Sequence, residues 1–267
     1  MNGLGLYVRY AAVSLRRQRA YPASFALQTI GQFAVTIIEA LGVWALFQRF
    51  HQLRSWQLGE VALFYATVNI SFALADTITR GFDVFGPEFV RTGDFDRLLL
   101  RPRSTVLQLL GHELRLTRLG RLVQGLVVLA VAVRLTGLEW DLGRVALLLA
   151  AIGGGVALFA GLLILQATLA FWTVESLEVA NTLTYGGVEA AQYPLDIYST
   201  WLRNFLIYGV PLGLVAYFPV VGILGRPDPL GAPSWFLAVS PLGGVAFLGM
   251  ALLLWRAGVR RYTSTGS

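Results

Sequence analysis

Six stretches of this chain run for bilayer-scale lengths with few or no charges: Tyr21–Phe47, Val61–Ile78, Leu122–Val133, Val145–Trp172, Phe205–Leu224 and Trp235–Trp255. A helix rises about 1.5 Å per residue, so roughly 20 apolar residues cross a hydrocarbon core about 30 Å thick. The third stretch is short as written. It reaches span length if it begins near Leu109, which places Arg115, Arg118 and Arg121 at one end, where long side chains snorkel to the interface. The expected fold is all-α: a polytopic membrane protein with six transmembrane helices and almost no β structure. Only 13% of residues are charged while 56% are hydrophobic, about half the charged share of a soluble domain. This excludes a charge-swollen disordered chain and argues against a water-soluble enzyme. The absence of cysteine excludes disulfides, thiolate chemistry and cysteine-based zinc sites.

Every one of the 21 basic residues is an arginine, and they are unevenly placed. The N-terminal segment holds Arg9, Arg16, Arg17 and Arg19, the 80–121 connection holds eight, and the tail holds Arg256, Arg260 and Arg261. The other side receives Arg49, Arg54, Arg134, Arg144 and Arg226, with Arg203 left unassigned. By the positive-inside rule both termini are predicted to be cytoplasmic and the span number even. The opening segment is not expected to be a signal peptide, because the apolar run after Arg19 is too long and lacks a small-residue cleavage site. Leu4–Leu15, with Tyr7, Arg9 and Tyr10, reads as a short helix at the inner interface. Pro22 then falls in the first turn of span one, where its missing N–H costs nothing.

Thr173–Arg203 admits two readings. In one it is a cytoplasmic connection, and Phe205–Leu224 is span five. In the other, Leu177–Tyr193 forms a short span five, and Phe205–Val221, interrupted by Pro211 and Pro219, dips in from the outer side and returns. A broken helix is tolerated at membrane depth only where protein or a polar cavity satisfies the freed backbone groups.

The polar connection from Arg80 to Arg103 carries the strongest functional signal. Gly81, Gly86, Pro87, Gly93 and Pro102 punctuate it, which predicts ordered turns around short amphipathic helices. Asp94 or Asp96 is placed to cap the helix carrying Leu98, Leu99 and Leu100. Two acids fall at membrane depth, Glu39 in span one and Asp76 near the inner end of span two. A charge in hydrocarbon is costly, so each should face protein or a cavity. Both, with Asn69, are candidates for a pathway or for interhelical polar contacts, and Asp76 also stands four residues before Arg80. Gly153, Gly154, Gly155, Ala157, Ala160 and Gly161 give span four a smooth side that suits close helix approach. His51 and His112 are too far apart in this topology for a metal pair. No Walker loop, Rossmann fingerprint or His-Glu-x-x-His motif occurs, and the arginines track span ends rather than a nucleic-acid-binding face.

The chain as a whole resembles the permease subunits of ABC-2 type export systems, in their bacterial six-span branch of about 260 residues. The patches that carry the resemblance are Gly93-Asp-Phe-Asp-Arg-Leu-Leu-Leu-Arg-Pro102, Phe171-Trp-Thr-Val-Glu-Ser176, Tyr193-Pro194 and the tail from Trp255 to Gly266; Glu175 sits within the second. The resemblance implies a single transmembrane domain over residues 1–267. Residues 1–20 would be an interfacial connecting helix, 81–108 a cytoplasmic coupling region, and 173–234 a span-five region with a re-entrant segment. It further implies export driven by separate ABC ATPase subunits beside a second permease or a second copy of this chain, in a bacterial cytoplasmic membrane with lipids as neighbours. The coupling residues would be Phe82, Phe85, Glu88, Asp94, Phe95, Asp96, Arg97, Leu98 and Leu99, with Phe95, Leu98 or Leu99 supplying apolar contact to the ATPase. The chain itself would hold no cofactor, ATP and Mg belonging to the partner. Two other classes compete: a membrane enzyme acting on lipids, which should show convergent His, Asp, Glu or Ser groups, and a non-transporting anchor or sensor.

Overall fold

The computed structural model describes residues 53–112, 119–172 and 177–263, together with Leu27, Ile30, Gly31, Ala34, Ile38, Leu41, Gly42 and Ala45. Those eight positions are helical and exposed; the rest of the first predicted span, Glu39 included, lies outside the described residues, as do the Leu4–Leu15 segment and Glu175. Among the described residues every regular element is helical, and the one strand-like pairing is an isolated bridge between Leu53 and Trp56. The all-α expectation is met.

The chain order is α1 (Leu58–Asp83), a π-helical turn (Gly86–Val90), α2 (Asp94–Leu99), α3 (Thr105–Leu110), α4 (Leu119–Thr136) and α5 (Leu142–Leu169). Then come α6 (Leu177–Ala191), α7 (Thr200–Asn204), a second π turn (Phe205–Gly209), α8 (Leu212–Val215), α9 (Tyr217–Leu224), α10 (Ser234–Val239) and α11 (Leu242–Arg261). Among the described residues three helices are long and apolar enough to cross a membrane: α1 with its continuation to Val90, α5 and α11. A fourth crossing is present if Thr200–Gly209 and Leu212–Leu224, which meet at 74°, are counted as one span. Helix α4 has 18 residues, about 27 Å of rise. Six spans remain the sequence expectation.

Helix α1 is the centre of the bundle. It packs between α4 and α5, and α5 carries α11 on its other side. In its span window α1 is 83% buried, against 22% for α11, so protein surrounds the one and leaves the other largely uncovered. Burial explains how α1 tolerates polar residues. Thr67, Ser71 and Thr79 donate their hydroxyls to the carbonyls of Leu63, Thr67 and Ala75 at 2.7–2.8 Å, which satisfies them within the helix itself. Thr79 leaves helical geometry (φ −103°, ψ 15°) and bends α1 as it approaches the 84–112 region.

Glycines set the closest crossings. A Cβ on Gly154 of α5 would overlap the Pro241 carbonyl, and one on Gly244 of α11 would overlap the Gly154 carbonyl. A Cβ on Gly155 would stand 2.5 Å from the Ser71 hydroxyl of α1. The neighbouring Gly153 faces open space. On the smooth side foreseen on span four, Gly154 and Gly161 both meet the α11 segment, Gly155 meets α1, and Gly153 meets neither.

The region with two sequence readings contains α6, a helix of 15 residues packed on α1, α5 and α8. The chain then breaks at Pro211, with Val210 extended (φ −114°, ψ 99°), as a residue before proline prefers. Pro219 lies in the first turn of α9, where no intrahelical N–H is required. The bent pair fits either reading, as one broken span or as a re-entrant segment.

A polar clasp holds the bent pair to the start of α1. The Trp56 indole donates to Asp196 Oδ1 at 2.9 Å, and Arg54 donates to the Asp196 carbonyl. Arg226 pairs with Glu60 at 2.7 Å and lies over the Trp56 ring, 4.9 Å from its centroid.

Candidate functional site

At the far end of α1 the chain builds a compact knob. Gly93 adopts φ 75°, the left-handed conformation that glycine enters without penalty, and so turns the chain into α2. Gln108 of α3 donates to the carbonyls of Leu98 and Arg103 at 3.1 and 3.2 Å, closing the exposed turn that contains Pro102. Helix α3 lies so near α1 that a Cβ on Gly81 would overlap the Leu109 carbonyl.

The interior of the knob is aromatic. Phe95 meets Phe85 at 5.0 Å, Phe171 at 5.5 Å, Trp255 at 6.3 Å and Tyr262 at 5.0 Å between ring centroids. Phe82 and Phe85 pack on Trp255 at 5.1 and 4.9 Å, and the Trp255 indole donates to Thr105 at 3.1 Å. Burial and the neighbouring Asp96 carboxylate push the Tyr262 hydroxyl above its ordinary range. Three sequence patches far apart in the chain, around residues 95, 171 and 255–262, therefore meet in one cluster.

The knob corrects the expected division of labour among the coupling residues. Phe95 is fully buried and Leu98 nearly so, whereas Leu99 is 41% and Leu100 84% exposed. In this conformation Phe95 and Leu98 have no surface to offer a partner, because they anchor α2 onto α1, α5 and α11. Phe82 and Phe85 are buried as well. Glu88 is exposed, and Asp94 pairs with Arg97 at 3.0 Å on the open side of α2. Of the expected coupling residues, Glu88, Asp94, Arg97 and Leu99 thus lie on the open side, with Leu100 beside them.

Above the knob lies a buried polar network. Asp76 is 1% exposed, with its carboxylate 4.0 Å from Arg80, which also pairs with Asp83. Asp83 accepts from Gln166 of α5 at 3.3 Å and from Tyr185 of α6 at 3.5 Å, and Thr184 donates to Gln166. Beside it Arg121 of α4 reaches Glu189 of α6 at 3.9 Å and lies over the Phe72 ring. Two carboxylates share one guanidinium, so the trio carries a net formal charge of −1, and the donors Gln166 and Tyr185 on Asp83 help to stabilise it away from water. The network joins α1, α5 and α6 where α1 runs into the knob. Asn69, fully buried, donates to the Tyr65 carbonyl at 2.9 Å, a bond within its own helix.

Tyr193, Pro194, Pro211 and Pro219 belong to the opposite half, where Pro194 opens the turn that presents Asp196 to Trp56. Sequence reasoning missed Gln166, Tyr185, Trp255 and Thr105 as parts of one site. The patches holding Phe171 and Trp255 were visible, but nothing in the sequence says that they meet. Among the described residues no group of His, Asp and Glu is arranged to hold a metal ion.

The family model described as ABC-2 family transporter protein matches residues 33–266 of the chain. No curated protein and no solved structure gives a significant match.

Proposed function

Because the chain belongs to the ABC-2 transporter family, as a membrane permease, we propose that it forms half of the translocation pathway of an ATP-driven exporter and couples to a separate ATPase through the knob at 82–110. The observation that supports this reading is the knob itself. It is rigid where it meets the bundle, through the Phe85–Phe95–Phe171–Trp255 cluster, and it presents Leu99 and Leu100 outward. An exposed apolar pair on a rigidly anchored helix suits a partner's groove. A push on α2 is carried by packed rings into α1, α5 and α11, and the Asp83 network lies in the same path to α6. The chain's part is then to favour inward- or outward-facing packings as the partner's nucleotide state changes. ATP and Mg would act on that partner, and a second permease or a second copy would complete the pathway.

The test is Leu99→Asp with Leu100→Asp in the assembled complex. Folded yield should match the wild type, since both side chains are exposed, while ATPase association falls by about tenfold or more, the usual scale for an interfacial anchor. Unchanged association and transport would remove the knob as the coupling element.

Orientation follows the arginine bias, with both termini inside. Single cysteines introduced at Gln52 and Thr265 in this cysteine-free chain should label from outside and from inside, respectively. Labelling of position 52 from the cytoplasm would overturn the topology.

A further inference from the structure

At the end of the bundle opposite the knob, a cavity of about 750 Å³ opens between the bent pair and the 229–236 segment. The position follows from contacts: Arg226 pairs with Glu60 at the start of α1, while the knob adjoins the other end of that 26-residue helix. That volume is in the range of small-ligand sites. Ile207, Leu214, Phe218 and Phe236 form an apolar part of the lining, and Arg203, Asn204 and Tyr208 supply its polar side chains.

Arg203 is the one charged side chain in the lining. It is partly buried, makes no ion pair among the described residues, and lies within electrostatic reach of the Tyr217 hydroxyl that donates to Asp228. Asp228, the nearby acid, is already engaged: it accepts from the Tyr217 hydroxyl at 2.8 Å and from the Leu230 and Ala232 amides at 3.1 and 2.8 Å. Those bonds fix the 229–233 wall of the cavity and occupy three of the roughly four acceptor sites of the carboxylate. Trp201, Tyr208 and Trp235 are 72%, 81% and 65% exposed around the same segments. Exposed Trp and Tyr rings mark the headgroup level of a membrane protein.

An apolar chamber at headgroup level with a single unpaired guanidinium at its edge is complementary to one class of molecule. We infer that this cavity binds an anionic phospholipid, its headgroup phosphate on Arg203 and an acyl chain against Ile207, Leu214, Phe218 and Phe236. An Arg fork suits phosphate oxygens in a way that a zwitterionic headgroup, carrying its own cation, competes for poorly. The inference needs only that the chain sits in a membrane and is independent of the coupling reading.

The experiment uses the full chain with a small fluorophore on Ala232→Cys or, separately, on Ile207→Cys, reconstituted in phosphatidylcholine vesicles. Brominated phosphatidylglycerol or brominated phosphatidylcholine is added as quencher. Half-maximal quenching is expected at a mole fraction about tenfold lower for the anionic lipid, the worth of one charge-assisted contact. Arg203→Gln should erase that preference, Arg203→Lys should restore most of it, and Asn204→Asp should weaken it by placing a like charge beside the headgroup. Equal quenching by both lipids, or a preference that survives Arg203→Gln, overturns the inference. So does relief of quenching by inorganic phosphate, which would assign the site to a free anion. Protection of both labels from either lipid, with crosslinking between two copies of the chain, would show that a second copy fills the cavity and would equally overturn it.

Discussion

Gly244→Val is expected to abolish recovery of monodisperse protein in detergent, while Gly153→Ala leaves it unchanged or slightly raised. The two glycines look alike in sequence, each in a small-residue stretch of an apolar helix. Gly244 packs against the backbone carbonyl of Gly154, so any side chain there must push α11 away from α5. A backbone atom cannot rotate aside as a flexible side chain can. Overpacking a core commonly costs about 1–3 kcal/mol, and here a whole helix–helix contact is lost, so the upper end or beyond is expected. Open space lies where a side chain on Gly153 would project. Alanine there should gain roughly 0.5–1 kcal/mol through reduced unfolded-state freedom and better helix propensity. Thermal monodispersity measured for both variants decides the matter. A Gly244→Val protein with wild-type yield and melting behaviour would show that α5 and α11 do not cross at these residues.

Phe95→Ala is expected to lower stability by about 3–5 kcal/mol, the cost of emptying a fully buried aromatic site. Four ring contacts are removed at once, to Phe85, Phe171, Trp255 and Tyr262, and edge-to-face pairs add to plain area burial. The effect should appear as reduced folded yield before any partner is added. Phe95→Leu should recover part of it by refilling volume. If Phe95→Ala instead folds normally and loses only ATPase association, Phe95 is an interface residue and the buried placement is wrong. Paired with Leu99→Asp and Leu100→Asp, the variant separates anchoring of the knob from recognition by it.

The candidate site was half legible in the sequence. The segment 82–99 stood out because glycine and proline punctuation and mixed charge interrupt an otherwise apolar chain. Which of its residues point inward did not. Phe95, Leu98, Leu99 and Leu100 are all apolar within six positions, and a helix of 6 residues is too short for periodicity to fix a face. Asp76 was marked by the cost of its charge, and its neighbour Arg80 by i,i+4 spacing. Gln166 and Tyr185 carry no such mark, being ordinary residues until α5 and α6 are placed beside Asp83.

What the sequence by itself determined was the material of the fold: helices of bilayer length and the positions of their breaks at residues such as Pro211. Both follow from local rules, the rise of a helix and the missing N–H of proline. Only the tertiary structure decided which glycine touches which helix, that Phe95, Phe171 and Trp255 share one cluster, and that Arg203 edges a cavity. The physical reason is that a membrane helix has two apolar surroundings. Lipid tails and neighbouring helices reward the same side chains, so hydrophobic periodicity, which separates inside from outside in a water-soluble protein, is nearly silent here, and the inward face is chosen by shape and by a few polar contacts between helices.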